Sequence, residues 1–425
     1  MVHTMIRLAL DGGTPVRSAL MPQGRGMSYL GEDEKRAVLE VLAARSLFRY
    51  YGPDLRRKVE QFEASFKEHL GVGYAVGVSS GTAALRVGLA ALDVGPGDEV
   101  IVPAVTFIAS VNAIIAQGAV PVFAEVDASF NLDPAALAER IGPRTKAIMP
   151  VHLMGTACEL DEIVSVAQAH NLLVVEDCAQ ACGTRYHGRP VGTWGDVGAF
   201  SFQLEKNITS GEGGCFVTED FSYFDRANKY QDQGGQFTLG AGGTRDRAGE
   251  PIIGENLRMN EIAGAILGVQ LGRIDGMIAS ARAIRDRVLA GIDRLDTVTR
   301  RPVADLAGEF PTVVGFFVND SELASRVAKA MTAEGVPARK VYGGKPVYAN
   351  PGILHQRTIS STGRPFTDPL YLARGPKMEY SMGMCPRSED LLSRCVVTGI
   401  SPRMTLQDAD DVVEAMNKVF SVLIP

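Results

Sequence analysis

The chain has 425 residues, 49 acidic and 43 basic, for a net charge of −6. That balance leaves no broad basic surface, which argues against nucleic acid as a partner, and 425 residues exceed what one hydrophobic core organises. No run of about 18 apolar residues is present, so no bilayer span is expected. Six cysteines without CxxC spacing, in a chain with no secretory signal, read as reduced cytoplasmic thiols.

In chain order, residues 1–30 are rich in Gly, Met and Pro and read as an N-terminal arm with little core of its own. Helix signals begin at Gly31-Glu32-Asp33-Glu34 and continue with Leu39, Val41, Leu42 and Leu47 on one side. A second helix carries Val59, Phe62, Phe66 and Leu70 at three- and four-residue spacing. From Tyr74, short apolar runs alternate with helical ones: YAVGV, EVIVPAV, VPVFAEV, TKAIMPVHL, LLVVED, VGAFSFQ and GCFVTED. Continuous apolar strands between helices predict an α/β domain over 31–275, with a mostly parallel sheet flanked by helices. A long helical run starts at Met259. Beyond it a strand–helix–strand unit (GEFPTVVGFFVND, SELASRVAKAMTAEG, PARKVY) and a last amphipathic helix predict a smaller α+β domain over 276–425.

Ligands in open α/β sheets bind beyond the carboxyl ends of the strands, so the residues there are the candidates. Ser79-Ser80-Gly81-Thr82 follows YAVGV and opens a helix, whose free N–H groups and the Ser80 and Thr82 hydroxyls can cup a phosphate; a plain N-cap is the alternative. Thr106-Phe107 follows EVIVPAV, and the phenyl ring suits either stacking on a flat cofactor or the core. His152 follows IMPV and reads as structural. Asp177 ends LLVVED, where a buried acid needs a positive partner such as a protonated pyridine nitrogen, or else caps a turn; Gln180 is within reach of a ring hydroxyl. In GAFSFQLEKNITSGEGG, Lys206 is isolated between a buried strand and a glycine turn, where desolvation lowers an amine's pKa and suits a Schiff-base lysine. Lysine, phosphate cup, pyridinium acid and ring platform together point to pyridoxal 5′-phosphate. No GxGxxG follows the first strand, and no metal-ligand spacing such as HExxH is present.

The segments SSGTAAL, GDEVIVPAVTFIAS, AVPVFAEVD, RTKAIMPVHLMG, VVEDCAQACG, GTWGDVGAFSFQLEKNITSGEGG, GENLRMNEIAGAILG and CPRSEDLLSR resemble the DegT/StrS-type sugar aminotransferases, in the same order. The resemblance implies a pyridoxal-phosphate enzyme of fold type I, the aspartate aminotransferase architecture. It implies Lys206 as the Schiff-base lysine, Asp177 on the pyridine nitrogen, Gln180 near the ring oxygen and Phe107 as the stacked ring. It also implies Gly81, Thr82 and Ser201 on the phosphate, and Asn256 reaching the phosphate of a neighbouring subunit in a homodimer with shared sites. The activity implied is ping-pong transfer of an amino group from L-glutamate or L-glutamine to a keto-sugar. That acceptor is a nucleotide-linked keto-sugar, a keto-cyclitol or a keto-sugar acid.

Departures from the family lie where substrate is held. The His-Tyr…Pro-Leu-His pattern of many relatives is replaced by KVYGGKPVYANPG, and Ser-Leu-Pro by Thr398-Gly399-Ile400. Residues 233–250 read either as a projecting loop that enters the partner's site or as a surface loop. Phe48–Tyr51 resembles members that aminate an eight-carbon keto-sugar acid. The rival readings are a pyridoxal-phosphate lyase or oxidase without net transamination, a non-enzymatic regulator of the same fold, and an amidotransferase using Cys178.

Overall fold

The structure, a computed structural model, describes residues 6–235, 250–292 and 298–424. Its central sheet comprises β1 (Tyr74–Val78), β2 (Glu99–Pro103), β3 (Val120–Ala124), β4 (Thr145–Ile148) and β5 (Leu173–Asp177). After a hairpin of β6 (Arg185–Tyr186) and β7 (Arg189–Pro190) come β8 (Val197–Ser201) and β9 (Gly214–Thr218). The seven-stranded order is β1-β9-β8-β5-β4-β2-β3. Only β9 is antiparallel to its neighbours. The carboxyl ends of the other six therefore share one edge.

Helices α1 (Glu32–Ala44), α2 (Lys58–Leu70), α3 (Gly81–Ala91), α4 (Ile108–Ala116), α5 (Leu160–Ala169), α6 (Phe221–Gln231) and α7 (Glu261–Leu271) surround the sheet. Residues of α2, α5 and α7 share one core cluster with Phe200, and residues of α3, α4 and α6 share the other with Val197 and Ala199. Strand β8 is thus covered on both faces, which is why its sequence is apolar throughout.

The run from Met259 is not one helix. It divides at Gly272–Arg273 into α7 and α8 (Ile274–Ile292), bent by 54°. At the break the Arg273 guanidinium is tied to the Tyr29 carbonyl, Asp33 and Glu34, which fixes the start of α8 against the N-terminal segment and α1. No single described helix is long and apolar enough to cross a membrane. A second correction concerns α1. Its buried face is Glu34, Ala37, Val41 and Ala44, while Leu39, Leu42 and the following Leu47 are exposed.

A second sheet, wholly antiparallel, has the order β10-β11-β13-β12. Its strands are β10 (Thr299–Arg300), β11 (Val313–Phe317), β12 (Ala338–Lys340) and β13 (Cys395–Gly399), packed with α8, α9 (Ser321–Ala333) and, after three short helices between 351 and 394, the terminal helix 406–423. Between β12 and β13 the chain returns to the large sheet, where Tyr371 donates to Glu99 and Tyr380 to the Pro121 carbonyl. The N-terminal segment straps the C-terminal unit: Glu334 accepts from the N–H groups of Ala9 and Val16, and Arg17 pairs with Asp408 and Asp411.

Glu176, fully buried in β5, accepts from the N–H groups of Gly192, Trp194 and Gly195 at 2.6–2.7 Å. His152 Nδ1 accepts from the Cys158 N–H, so its Nε2 carries the proton donated to Glu176 at 3.0 Å. His152, Glu176 and Cys178 have metal-ligating atoms within 4.8 Å, but both imidazole nitrogens and both carboxylate oxygens are already engaged. Replacing Glu176 with alanine strands four buried donors. We expect a loss of about 3–5 kcal/mol, read as a lower urea midpoint, with little recovery in Glu176→Gln, which cannot accept as many bonds.

Candidate active site

A cleft of about 680 Å³ opens at the carboxyl edge of the large sheet, roofed by residues of the second sheet. Ser80, Gly81, Thr82, Phe107, Asp177, Gln180, Ser201 and Lys206 all line it. Asn256 does not; it is an exposed residue bridged to Asp232 on the backbone. Most of the loop expected over 233–250, with Arg245, Asp246 and Arg247, lies outside the described residues.

Gly81 and Thr82 are the first two residues of α3, so their N–H groups have no acceptor within the helix. Ser80 is its N-cap, its hydroxyl accepting from the Ala83 N–H at 3.1 Å, so the capping role is filled by this side chain. Close approach explains the glycine. A Cβ on Gly81 would stand 2.5 Å from Ser201 Cβ, at the end of β8. The helix N-terminus and the Ser201 hydroxyl are thereby brought to one point, forming an anion cradle with the dipole's positive end.

Asp177 closes β5 and is 4% exposed. Ser110, on the first turn of α4, donates to one carboxylate oxygen at 2.7 Å, and the Ala179 N–H to the other at 3.0 Å. Burial raises this carboxyl above its ordinary value, while those two hydrogen bonds and the charge of Lys206 pull it back. An acid so fixed, with one side on the cleft, suits a cationic nitrogen. Ser110 was not among the sequence-derived candidates. Its only signal was its place three residues after Phe107, one turn along the helix that Phe107 caps.

Lys206 sits in the loop between β8 and β9. Its amine makes no hydrogen bond or ion pair among the described residues. Burial lowers its pKa, opposed chiefly by Asp177 and aided by Arg25. Phe107 is 55% exposed at the amino end of α4, which removes the core alternative and leaves a ring face in the cleft. Gln180 is engaged at both ends, accepting from the Met154 N–H at 3.2 Å and donating to the Tyr342 hydroxyl at 3.0 Å. Tyr342, from the KVYGGKPVYANPG stretch where substrate was expected, also lines the cleft, as do Arg339 and Arg25, which the sequence did not single out. Cys178 is wholly buried and its thiol is pushed well up, which removes it as a nucleophile.

The model of the DegT/DnrJ/EryC1/StrS aminotransferase family matches residues 28–417. The chain belongs to that family. This aminotransferase is 40% identical over 306 residues to GDP-perosamine synthase of Caulobacter vibrioides, covering 71% of the chain and 80% of the relative. It is 33% identical to L-glutamine:2-deoxy-scyllo-inosose aminotransferase of Micromonospora echinospora over 98% of both chains. Among solved structures, the aminotransferase from Psychrobacter cryohalolentis matches with a TM-score of 0.80 at 28% identity, over 96% of this chain and 100% of that one. DesV of S. venezuelae matches with 0.73 at 31%, over 91% and 94%. The aminotransferase therefore has the fold of the pyridoxal-phosphate aminotransferases and acts in sugar transamination. Aminotransferases of this family and fold use pyridoxal phosphate.

Two outcomes test the site. Gly81→Ala forces Ser201 and α3 apart, so we expect a folded protein whose affinity for pyridoxal phosphate falls at least about tenfold, measured by titration of the visible absorbance. In cofactor-free protein the Lys206 amine is protonated below its pKa and nucleophilic above it. Its reaction with an aldehyde should rise with pH and level off below the ordinary 10.5. Because Asp177 raises that pKa, the midpoint should move lower still in Asp177→Asn.

Proposed function

We propose that this aminotransferase binds pyridoxal phosphate in the 680 Å³ cleft and carries an amino group from L-glutamate or L-glutamine to a keto-sugar by a ping-pong reaction. The observation that carries this is the meeting, in one cleft, of an unpaired low-pKa lysine, a fixed buried carboxylate and a helix N-terminus. These match the reactive carbon, ring nitrogen and phosphate of one cofactor. The acceptor classes are a nucleotide-linked keto-sugar, a keto-cyclitol and a keto-sugar acid.

When bound, pyridoxal phosphate supplies an aldehyde carbon for the donor amine and a ring that takes up the electron pair released at the donor Cα. Gly81, Thr82 and Ser201 hold the phosphate, with Ser80 keeping the helix end in place. Phe107 offers its ring as the stacking face. Asp177, fixed by Ser110 and Ala179, would keep the pyridine nitrogen protonated, and Gln180 would hold the ring oxygen. Lys206 Nζ would hold the cofactor through its aldehyde carbon and would carry the proton from the donor Cα.

The active form we propose is a homodimer with shared sites, in the cytoplasm. Exposed Leu39 (63%) and Leu42 on α1 and Ile253 (96%) supply an apolar surface for the partner. Asn256, which does not line its own cleft, would reach the phosphate of the neighbouring subunit in that dimer. Six free, buried cysteines suit a reducing compartment. In this reading residues 1–30 are an arm, 31–275 the cofactor domain and 276–425 the smaller domain.

Glutamate or glutamine should convert the visible absorbance to that of the amine form, and a keto-sugar should restore it. Lys206→Ala should abolish the visible band and lower turnover by about 10²–10⁴-fold; an unchanged band and turnover would overturn the proposal. Leu39→Glu with Leu42→Glu should shift sedimentation toward monomer and lower activity together.

A further inference from the structure

One side chain of the cleft is fastened at both ends by residues of uncommon backbone shape. Of the residues lining the cleft, Met154 and Tyr342 are the two that combine a side chain with a left-handed backbone, at φ 56° and 45°. Both bond to Gln180. The Met154 N–H donates to its amide oxygen at 3.2 Å, and its amide nitrogen donates to the Tyr342 hydroxyl at 3.0 Å. A backbone N–H can be answered only by the oxygen end of an amide, so the Met154 bond fixes which way the group is turned.

Each turn is held from outside. Met154 precedes Gly155, where a Cβ would stand 1.9 Å from the Phe310 carbonyl oxygen, and the Gly155 carbonyl accepts from the Thr184 hydroxyl and the Phe310 N–H. Tyr342 follows β12 of the second sheet and precedes Gly343 and Gly344; the Val347 N–H then donates to the Ala104 carbonyl at 2.9 Å, just past the end of β2. Left-handed backbone at a residue other than glycine persists only where surrounding contacts over-determine it, and here two such residues converge on one amide.

The amide nitrogen of Gln180 has two hydrogens, and Tyr342 takes one. The other has no acceptor among the described residues, and Gln180 lines the cleft three residues beyond Asp177. A donor on the cofactor's ring oxygen draws negative charge away from the neighbouring nitrogen that Lys206 supplies, so the proton on that nitrogen is released at lower pH.

We propose that Tyr342 is a positioning residue: its hydroxyl holds the Gln180 amide with the unshared N–H on the ring oxygen, and so sets the pH at which the visible band of the holoenzyme titrates. The inference rests on the pyridoxal-phosphate reading and deepens it, because it makes the roof of the cleft part of the cofactor's surroundings. Arg25, Asp177, Glu205, Glu212, Arg339 and Lys340 are the other charged groups sharing the cleft with Lys206. None bonds to the Tyr342 hydroxyl among the described residues, so removing that hydroxyl leaves their charges as they were. Burial pushes the Tyr342 phenol up to about 12, so no charge is lost with it at lower pH.

The test uses the holoenzyme and follows its visible band across pH. Tyr342→Phe keeps the ring and removes only the hydroxyl; the midpoint should rise by about one pH unit, with thermal melting unchanged. Gln180→Leu removes the donor itself and should raise the midpoint at least as far. Adding Tyr342→Phe to Gln180→Leu should then move it by less than about 0.3 unit, because the tyrosine acts only through the amide. A Tyr342→Phe midpoint within about 0.3 unit of the parent would overturn the proposal. So would a Tyr342→Phe shift as large without Gln180 as with it, which would put the hydroxyl on the cofactor itself. A parent protein that forms no visible band with pyridoxal phosphate would instead overturn the cofactor reading, and the proposal with it.

Discussion

Lys206 and Asp177 face one cleft, attract each other through it, and form no ion pair. That separation is the constraint on which the site depends. Were the amine and the carboxylate in contact, each would neutralise the other and neither would be free for a ligand. Held apart, burial moves both toward their neutral forms, so each stays poised to exchange its internal partner for an external one. The separation is maintained by different means at the two ends. Asp177 is fixed by the Ser110 hydroxyl and the Ala179 N–H, whereas Lys206 is fixed only through its backbone, by Gln203 and by Gly26.

Bringing these groups together requires backbones to approach more closely than side chains allow. Gly81 meets Ser201, and Gly214 meets the Ser80 carbonyl, where a Cβ would stand at 2.2 Å. The first contact joins the start of α3 to the end of β8 across β9, and the second joins the residue before α3 to the start of β9 itself, so the antiparallel strand lies directly behind the phosphate cradle. Behind the site, Glu176 ties β5 to the turn before β8 with three backbone hydrogen bonds, which fixes the level at which Asp177 emerges. Neighbouring acids on one strand thus have opposite uses. One side chain is fully satisfied and holds the fold; the next is left partly open to the cleft.

The second sheet contributes by covering. Its edge strand β12 supplies Arg339 and the turn bearing Tyr342, whose φ of 45° is followed by Gly343 and Gly344, also left-handed. That turn carries the Tyr342 hydroxyl to Gln180 and links the two sheets across the cleft. The N-terminal strap serves the same end from another side, since it is anchored to Glu334 and Asp408 of the C-terminal unit and to Lys206 of the large sheet.

Strands, helix starts and the isolated lysine were legible in the sequence because each is a local property. Apolar runs must be buried on both faces, Ser-Gly-Thr after a strand opens a helix, and a lone lysine before a glycine turn has few ways to be solvated. Hence the α/β class, the strand ends and seven of the cleft residues from Ser80 to Lys206 could be named in advance, while Ser201 came only from the family resemblance. Tertiary structure alone decided which faces were left over. Leu39 and Leu42 carry a helical apolar pattern but lie outside, because Ala37, Val41 and Ala44 present the smaller side that fits α7. Ser110, Arg25 and Arg339 come from a helix turn, a glycine-rich strap and the edge strand β12, and nothing in their neighbours along the chain marks them; Tyr342 lies in a stretch marked only by its departure from the family pattern. Their importance arises from convergence in space, which depends on contacts hundreds of residues apart and so is not written in any short stretch of sequence.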